Sequence, residues 1–222
     1  AWVTLGLRQE IRGQQEQAIQ SFERAETFAP DSDVIQYLLG QENFYGAQRD
    51  PDGALERLET AEAAFAESLR LNPDNLRTRI GQSSIHIVKA QRLLNEARNM
   101  PEGEERNAAL NTVEQEAQAA LAVNDEIAAQ PEQIETYGVP VAGIARLGRG
   151  ISLRLLAEVA FFRGDLTAAE TRIDEAIATL ESQIEQQATA NDPRLAAQSF
   201  QALGSFYEWM AFLLNERGAT GA

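Results

Sequence analysis

Helix-breaking residues recur along this sequence and divide it into segments that are otherwise built from good helix formers. Alanine, leucine, glutamate, glutamine and arginine dominate the segments, whereas alternating apolar and polar runs and Asn-Gly hairpin turns are missing. The breaks fall at Gly13, Pro30, 46–51, 72–75, 101–103, 131–140, 163–165 and 188–193. The sequence therefore predicts an all-α fold of about nine helices, arranged as antiparallel pairs.

The positions of the breaks also predict where each helix lies. One helix precedes Gly13, and the others run over 17–28, 33–46, 51–71, 75–98, 104–128, 140–162, 166–187 and 193–217. Asp31, Ser32 and Asp33 supply side chains that can cap the third of these helices. We expect no helix long and apolar enough to span a membrane.

Charge and side-chain chemistry exclude several classes of function. The net charge of -15 leaves no basic face for nucleic acid or anionic lipid. Cysteine is absent and His86 is the only histidine, so disulfides, thiolate metal sites and multi-histidine constellations are excluded. No Gly-Lys-Ser/Thr, Gly-x-Ser-x-Gly or His-Glu-x-x-His motif occurs. We therefore expect no enzymatic activity, no cofactor and no metal ion.

The N-terminal residues bear on the extent of the chain and on its compartment. Ala1-Trp2-Val3 already lies within an apolar pattern, so we expect the sequence to be a piece of a longer protein. For this segment we expect a soluble protein, with the cytoplasm favoured over an extracytoplasmic compartment.

The first thirty residues contain a recognisable pattern of small and bulky residues. It consists of Trp2, Leu5, Gly6, Gly13, Ala18, Phe22, Ala25 and Pro30. This segment resembles one tetratricopeptide repeat almost completely. Small residues at Gly6 and Ala18 let two helices approach closely, and Trp2 and Phe22 fill the space around them.

The second half of that pattern, small then bulky then small at i, i+4 and i+7, returns along the chain. It is found as Ala61-Phe65-Ser68, as Ala117-Leu121-Asn124 and as Ala169-Ile173-Ala176. The successive steps, from Ala18 to Ala61, from Ala61 to Ala117 and from Ala117 to Ala169, are 43, 56 and 52 residues, longer than the roughly 34 residues of the family. The resemblance implies a single repeat domain over 1–222, stacked as an irregular α-solenoid with a joint near 129–150.

In proteins that resemble this one, the first helices of successive pairs line a groove that holds a peptide or a partner helix. The resemblance assigns this binding groove to Tyr37, Gln41, Phe44, Tyr45, Ser84, Arg154, Glu158, Phe162 and Trp209. It implies a scaffold or adaptor whose partner is another protein. One alternative is a structural module that assembles with copies of itself, and another is a regulatory sensor that holds a small ligand at the glycine-rich segment 137–151.

Several of these residues also have a structural interpretation. About half of the aromatic residues on the helix of Tyr37 are expected in the core, and Trp209 is expected to cap the last apolar face. Arg154 and Glu158, four residues apart on a helix, favour an ion pair, and His86 is expected to be packed or hydrogen-bonded.

The glycine-rich segment 137–151 has two interpretations of its own. A stripe of small residues at Ala142, Ala145, Gly148 and Ser152 predicts close approach of a neighbouring helix. Arg146 and Arg149 leave an anion site as the alternative.

Overall fold

The computed structural model describes residues 1–50, 53–130, 135–136, 139–190 and 193–220. Within these residues the fold is all-α, with nine helices of which neighbours along the chain pack in pairs, as the sequence predicted. Helices α1 to α9 are Trp2–Ile11, Gln15–Phe28, Asp33–Arg49, Ala54–Leu71, Leu76–Arg98, Glu104–Ala128, Val141–Phe162, Leu166–Ala190 and Pro193–Thr220.

The contacts divide the chain into two compact units, residues 1–85 and residues 86–222. The boundary falls within α5, so this helix contributes residues to both. The predicted single repeat domain and the predicted joint near 129–150 stay predictions, and residues 131–134 and 137–138 of that joint lie outside the described residues.

The first unit is organised around glycines that face aromatic rings. Gly6 of α1 lies against the Phe22 ring of α2. The Phe65 ring of α4 lies between Gly40 of α3 and Gly81 of α5, and a Cβ atom at either glycine would come within 2.5 Å of it. Phe22 and Phe65 are themselves buried. The small and bulky residues of the repeat pattern therefore meet across helix pairs.

The turn between α4 and α5 is tied to the start of α3. The Asp33 carboxylate accepts hydrogen bonds from Asn72 Nδ2 at 2.8 Å and from Asn75 Nδ2 at 3.1 Å. Asn75 Oδ1 in turn accepts from the Thr78 main-chain N–H at 3.2 Å, which caps the first turn of α5. Side chains of the Asn-Pro-Asp-Asn turn at 72–75 thus connect the end of α4 and the start of α5 to the start of α3.

The second unit has a core shared by α5 to α9. One cluster of buried side chains joins α7, α8 and α9 around Ile173, Leu180 and Phe206. A second cluster joins α5, α6 and α7 around Leu94, Val113 and Leu155. Because α7 contributes to both clusters, it is the helix against which the rest of this unit packs.

The structure differs from the predictions at the end of α3 and ahead of α7, and several other helix ends lie two or three residues from their predicted positions. Helix α3 continues past Gly46 to Arg49. Gly46 lies against the Arg57 side chain of α4, and a Cβ atom there would lie 2.8 Å from Arg57 Nη1. Ahead of α7, the two-residue strands β1 (Glu135–Thr136) and β2 (Val139–Pro140) pair antiparallel. Pro140 therefore lies before the helix, whereas the sequence predicted that the first turn of the helix contains it.

The glycine contacts of Phe65 generate the first testable prediction. Gly40→Ala is expected to destabilise the first unit by about 1–3 kcal/mol, because the added methyl group overlaps the Phe65 ring. Urea unfolding followed by circular dichroism measures the loss.

A double-mutant cycle with Phe65→Leu separates this overlap from other effects of the methyl group. In the Phe65→Leu background the same glycine substitution should cost less, since the ring is gone. Gly204→Ala, where no described atom lies within 4 Å, should instead raise stability by roughly 0.5–1 kcal/mol. Equal losses at Gly40 with and without the ring would contradict the packing account.

Candidate functional site

The predicted groove residues of the first unit lie mainly inside the protein. Tyr37, Gln41 and Phe44 are buried on α3, which has buried residues on all its faces because α2 and α4 both pack against it. Tyr37 stacks on Phe65 with 6.1 Å between ring centroids. Tyr45 is the exposed member of this group, with 37% of its surface accessible. A partner-binding role of these four residues stays a prediction, and only Tyr45 is on the surface in this structure.

Two further predicted groove residues have structural contacts. Ser84 of α5 is half-buried, and its hydroxyl donates to the Ile80 main-chain oxygen of its own helix at 2.9 Å. Trp209 of α9 packs against the core of the second unit, with edge-to-face contacts to Phe161 and Phe212. That location matches the structural interpretation, in which Trp209 covers an apolar face.

A buried carboxyl lies next to these residues on α3. Glu42 is 2% exposed, and its Oε1 has no hydrogen-bond partner among the described residues. Burial, and then the nearby Glu10 carboxylate of α1, raise the pKa of Glu42 from 4.5 to about 7, although Arg49 and Gln15 partly oppose this. Glu42 is therefore partly protonated at neutral pH. The sequence did not indicate a buried Glu42, because glutamates on a helix usually lie on its solvated face.

The predicted residues of α7 fall on one face of that helix, at i, i+4 and i+8. Glu158 is fully buried, and its two oxygens accept hydrogen bonds from Arg154 of the same helix and from Arg98 of α5. The ion pair predicted from the spacing of Arg154 and Glu158 is confirmed. Arg98 was not predicted, because it comes from a helix sixty residues earlier. The negative charge of the buried Glu158 carboxylate is thus compensated by two arginines, and the Arg98 contact links α5 to α7.

Phe162, one turn further along α7, lines an open cleft of the second unit. The cleft has a volume of about 560 Å³ and lies between the start of α6 and the end of α7. Its other lining residues are Glu102, Gly103, Arg106, Asn107, Asn111, Arg163 and Gly164. Polar and cationic groups thus surround a single aromatic ring.

Arg106 is the central side chain of this cleft. Its guanidinium lies over the Phe162 ring, 4.9 Å from the centroid, and the side chain is only 13% exposed. Its Nε is buried and makes no hydrogen bond to any described residue. The neighbouring carboxylate, Glu102, is 3.6 Å from Nη1, almost fully exposed and outside hydrogen-bond distance. A largely desolvated cation therefore has one donor that the described protein leaves unsatisfied.

Arg163 forms the opposite wall of the cleft in a fixed orientation. Its Nη1 donates to Glu114 and its Nη2 donates to Asn111, both at 2.7 Å. Gly164 follows with φ of 79°, the conformation that lets α7 end and α8 begin. Asp165 caps α8 by accepting from the Ala168 N–H at 2.9 Å. The Arg-Gly-Asp turn was predicted from the sequence, but its place beside Arg106 was not.

The glycine-rich segment shows close helix packing where it is described. Ala142, Ala145 and Ser152 are fully buried, and a Cβ atom at Gly148 would lie 2.6 Å from Asn124 Nδ2 of α6. Arg149 is held by Asp125, Glu175 and Thr179, so its guanidinium is already satisfied within the protein. The alternative of an anion site at this segment gains no support from Arg149. Tyr137 and Gly138 lie outside the described residues.

The first unit has a cleft of opposite charge. It has a volume of about 570 Å³, lies among α2, α3 and α4, and is lined by the acidic residues Glu23, Glu26, Asp31 and Glu67 together with polar and small residues. Two of the acids have partners, since Glu26 accepts from Gln36 and Glu67 pairs with Arg70, each at 2.7 Å. This cleft offers negative charge without a buried group that lacks a partner.

His86, the single histidine of the chain, lies on α5 beside α6. His86 Nδ1 lies 2.6 Å from Glu116 Oε2 across α5 and α6, as expected of a hydrogen-bonded histidine. Across the described ranges, no three acidic or histidine side chains are placed so that they could hold a metal ion. None of the helices in those ranges has the length and apolarity of a bilayer span.

Comparison with known proteins adds no family assignment. None of the protein-family models matches this chain, and no curated protein matches it at a significant level.

The protonation of Glu42 predicts how stability depends on pH. A carboxyl whose pKa is higher in the folded than in the unfolded state binds more protons when folded, so stability falls as the pH rises from 4.5 to about 7. Glu42→Gln should remove this part of the loss, and the variant should be the more stable protein at pH 8. Urea titrations at several pH values measure it.

Glu10→Gln serves as the companion variant for this experiment. Removing the Glu10 carboxylate should lower the pKa of Glu42 and move the fall in stability to lower pH. A pH dependence that is identical in wild type and Glu42→Gln would rule out a raised pKa at Glu42.

The buried ion-pair network predicts an unequal response to substitution. Glu158→Ala leaves Arg98 and Arg154 without their shared carboxylate and should cost about 3 kcal/mol or more. Arg98→Ala should cost less, because Arg154 still pairs with Glu158 and the Arg98 side chain is 39% exposed. Chemical unfolding of the two variants tests the order, and a larger loss for Arg98→Ala would contradict it.

Proposed function

We propose that this protein is a tetratricopeptide-like interaction scaffold that binds a segment of another protein. We further propose that the cleft of the second unit holds a carboxylate of that segment, with an adjacent apolar side chain against Phe162. The observation that carries the proposal is the buried, unsatisfied Nε of Arg106 beside an open cleft. A carboxylate is the ligand that a guanidinium recognises best, because two oxygens match its parallel N–H groups.

The surroundings of Arg106 support a carboxylate over a phosphate. Glu102 lines the cleft, and Glu114 pairs with Arg163 on its opposite wall. The negative charge of these two carboxylates would repel a doubly charged phosphate. A carboxylate carries a single negative charge, which matches the single charge of the Arg106 guanidinium. Asn107 and Asn111 can hydrogen-bond the peptide main chain on either side of it, since amides both donate and accept.

The scaffold interpretation rests on the way the helices pack. Small residues of one helix face bulky residues of the next at Gly6 and Phe22 and at Gly40 and Phe65, which is the packing that the resemblance implies. Repeat arrays of this kind act through surfaces between successive helices. The cleft is such a surface, because it opens between the start of α6 and the end of α7.

Peptide binding to purified protein tests the proposed carboxylate specificity. The probes are labelled hexapeptides that end in Leu-Glu or Leu-Asp, each compared with the same peptide carrying Gln or Asn and a C-terminal amide. We expect the carboxylate forms to bind about ten to one hundred times more tightly, the range of a charge-assisted hydrogen bond. Fluorescence anisotropy measures both affinities.

Three variants make the assignment specific to the cleft. Arg106→Gln should abolish the preference for carboxylate, and Glu102→Gln should strengthen binding because it removes a competing negative charge. Arg172→Gln is the matched control, since it makes the same change on α8, outside the cleft lining. Equal affinity of the carboxylate and amide peptides for wild type would contradict the proposal.

A further inference from the structure

The last helix, α9, presents an exposed seam that no contact among the described residues of the second unit explains. Small residues occur every seven positions on it, at Ala197, Gly204, Ala211 and Gly218, and large apolar residues occur every seven positions at Phe200, Tyr207 and Leu214. All seven are exposed, and Phe200, Tyr207 and Leu214 are 59%, 48% and 55% accessible. A Cβ atom at Gly204 or Gly218 would meet no described atom within 4 Å.

This spacing of three and four residues is that of the contact positions in a two-helix coiled coil. The side chains that bury α9 in its own unit are different ones, at Ser199, Phe206 and Leu213, so the seam lies on another side of the helix. The orientation of the Tyr207 side chain is fixed, because its hydroxyl donates a hydrogen bond to Glu181 of α8. The seam is therefore an additional helix-docking face.

We propose that the seam binds the same seam of a second copy of this chain, with the two α9 helices antiparallel. In an antiparallel pair each small position faces a large position of the other helix, whereas in a parallel pair small would face small and large would face large. One register matches all six central positions at once. In it Ala197 faces Leu214, Phe200 faces Ala211 and Gly204 faces Tyr207, and each contact occurs twice by symmetry.

The self-complementary order identifies the occupant as a second copy. A helix of unrelated sequence would have to supply large residues opposite Gly204 and Ala211 and small ones opposite Phe200 and Tyr207, which α9 itself supplies in reverse order. A face with a two-fold pattern of this kind suits an isologous contact, the commonest form of association between identical subunits.

Charge is consistent with pairing between identical, strongly acidic chains. Glu208 is the only charged residue between Leu195 and Asn215, although a quarter of the whole chain is charged. In the antiparallel register Glu208 is level with Leu203 and flanks Gln201 of the other copy, so no two like charges face each other along the seam.

The exposed area sets the expected strength of the contact. Covering about half of three large side chains on each of two helices removes on the order of 600 Å² of apolar surface from water. Stable interfaces bury roughly 1,200–2,000 Å². Pairing through this seam alone is therefore weak and reversible, and it forms as the concentration rises through the micromolar range.

Sedimentation equilibrium over a wide concentration range tests the proposal. We expect a monomer–dimer equilibrium whose dissociation constant rises about tenfold or more in Gly204→Glu, where a charge enters the seam. Ser205→Glu is the matched control, because it adds the same charge one residue away on an exposed position outside the seam. Circular dichroism verifies that both variants stay helical.

Disulfide trapping tests the orientation, and the chain offers a clean background because it contains no cysteine. Ala197 and Leu214 lie seventeen residues apart, about 26 Å along the helix. An antiparallel dimer should form a disulfide when Ala197→Cys and Leu214→Cys proteins are mixed, and neither protein should cross-link with itself through the seam. Self-cross-linking of each variant alone would show a parallel pair and overturn the register.

Two further outcomes would also overturn self-pairing. A wild-type protein that stays monomeric up to the millimolar range would leave the seam to a helix of a different chain. A dimer that is unaffected by Gly204→Glu would place the contact between copies elsewhere. Neither result would bear on the Arg106 cleft, which the peptide experiment tests at concentrations where the protein is monomeric.

Discussion

The architecture depends on the close approach of helices at positions where one helix has no side chain. In the first unit the Phe65 ring occupies the space that a Cβ atom of Gly40 or Gly81 would need, so a single residue joins α3, α4 and α5. In the second unit Gly148 admits Asn124, and a Cβ atom at Gly150 would lie 3.2 Å from Leu180. Dense interiors tolerate few changes of volume, so these contacts fix the distances between helices. The spacing of α6 and α7, and with it the width of the Arg106 cleft, follows from contacts of this kind.

Two buried carboxyls show how the same group acquires different roles. Glu158 is fully enclosed but shared by Arg98 and Arg154, so its charge is compensated and it serves as a fastening between helices. Glu42 lies near another carboxyl, with one oxygen that lacks a partner among the residues described, and it meets the cost of burial by taking up a proton. One glutamate thus joins two helices of its unit through a charge that two arginines compensate. The other makes its unit sensitive to pH.

Local patterns in the sequence predicted what depends on neighbouring residues. The breaks at Gly13 and Gly164 were predicted because glycine weakens a helix, and both glycines have positive φ in the structure. The pair of Arg154 and Glu158 was predicted because residues four apart on a helix meet. Helix α3 was harder, since its burial on every side erases the amphipathic signal that separates core from surface. The resemblance therefore assigned Tyr37 and Phe44 to the binding groove, although both are buried in the structure.

The candidate cleft could be predicted only in part. Phe162 was assigned from the resemblance, but Arg106 and Arg163 reach it from different helices, and no local spacing reports which helices pack side by side. The same limit applied to Arg98, whose partner lies sixty residues away. The seam of α9 has a regular period in the sequence, but the period acquires meaning only once the structure shows which side of the helix is already buried.

The two tryptophans of the chain are divided between its compact units. Trp2 lies beneath the Arg24 guanidinium in the first unit, 4.9 Å from it, and Trp209 lies among phenylalanine rings in the second. Indole emission depends on such surroundings, so each unit contains one fluorescent tryptophan in an environment of its own. Replacing one tryptophan by phenylalanine leaves the fluorescence of the other unit alone, and the melting of each half of the chain can then be recorded separately in the intact protein.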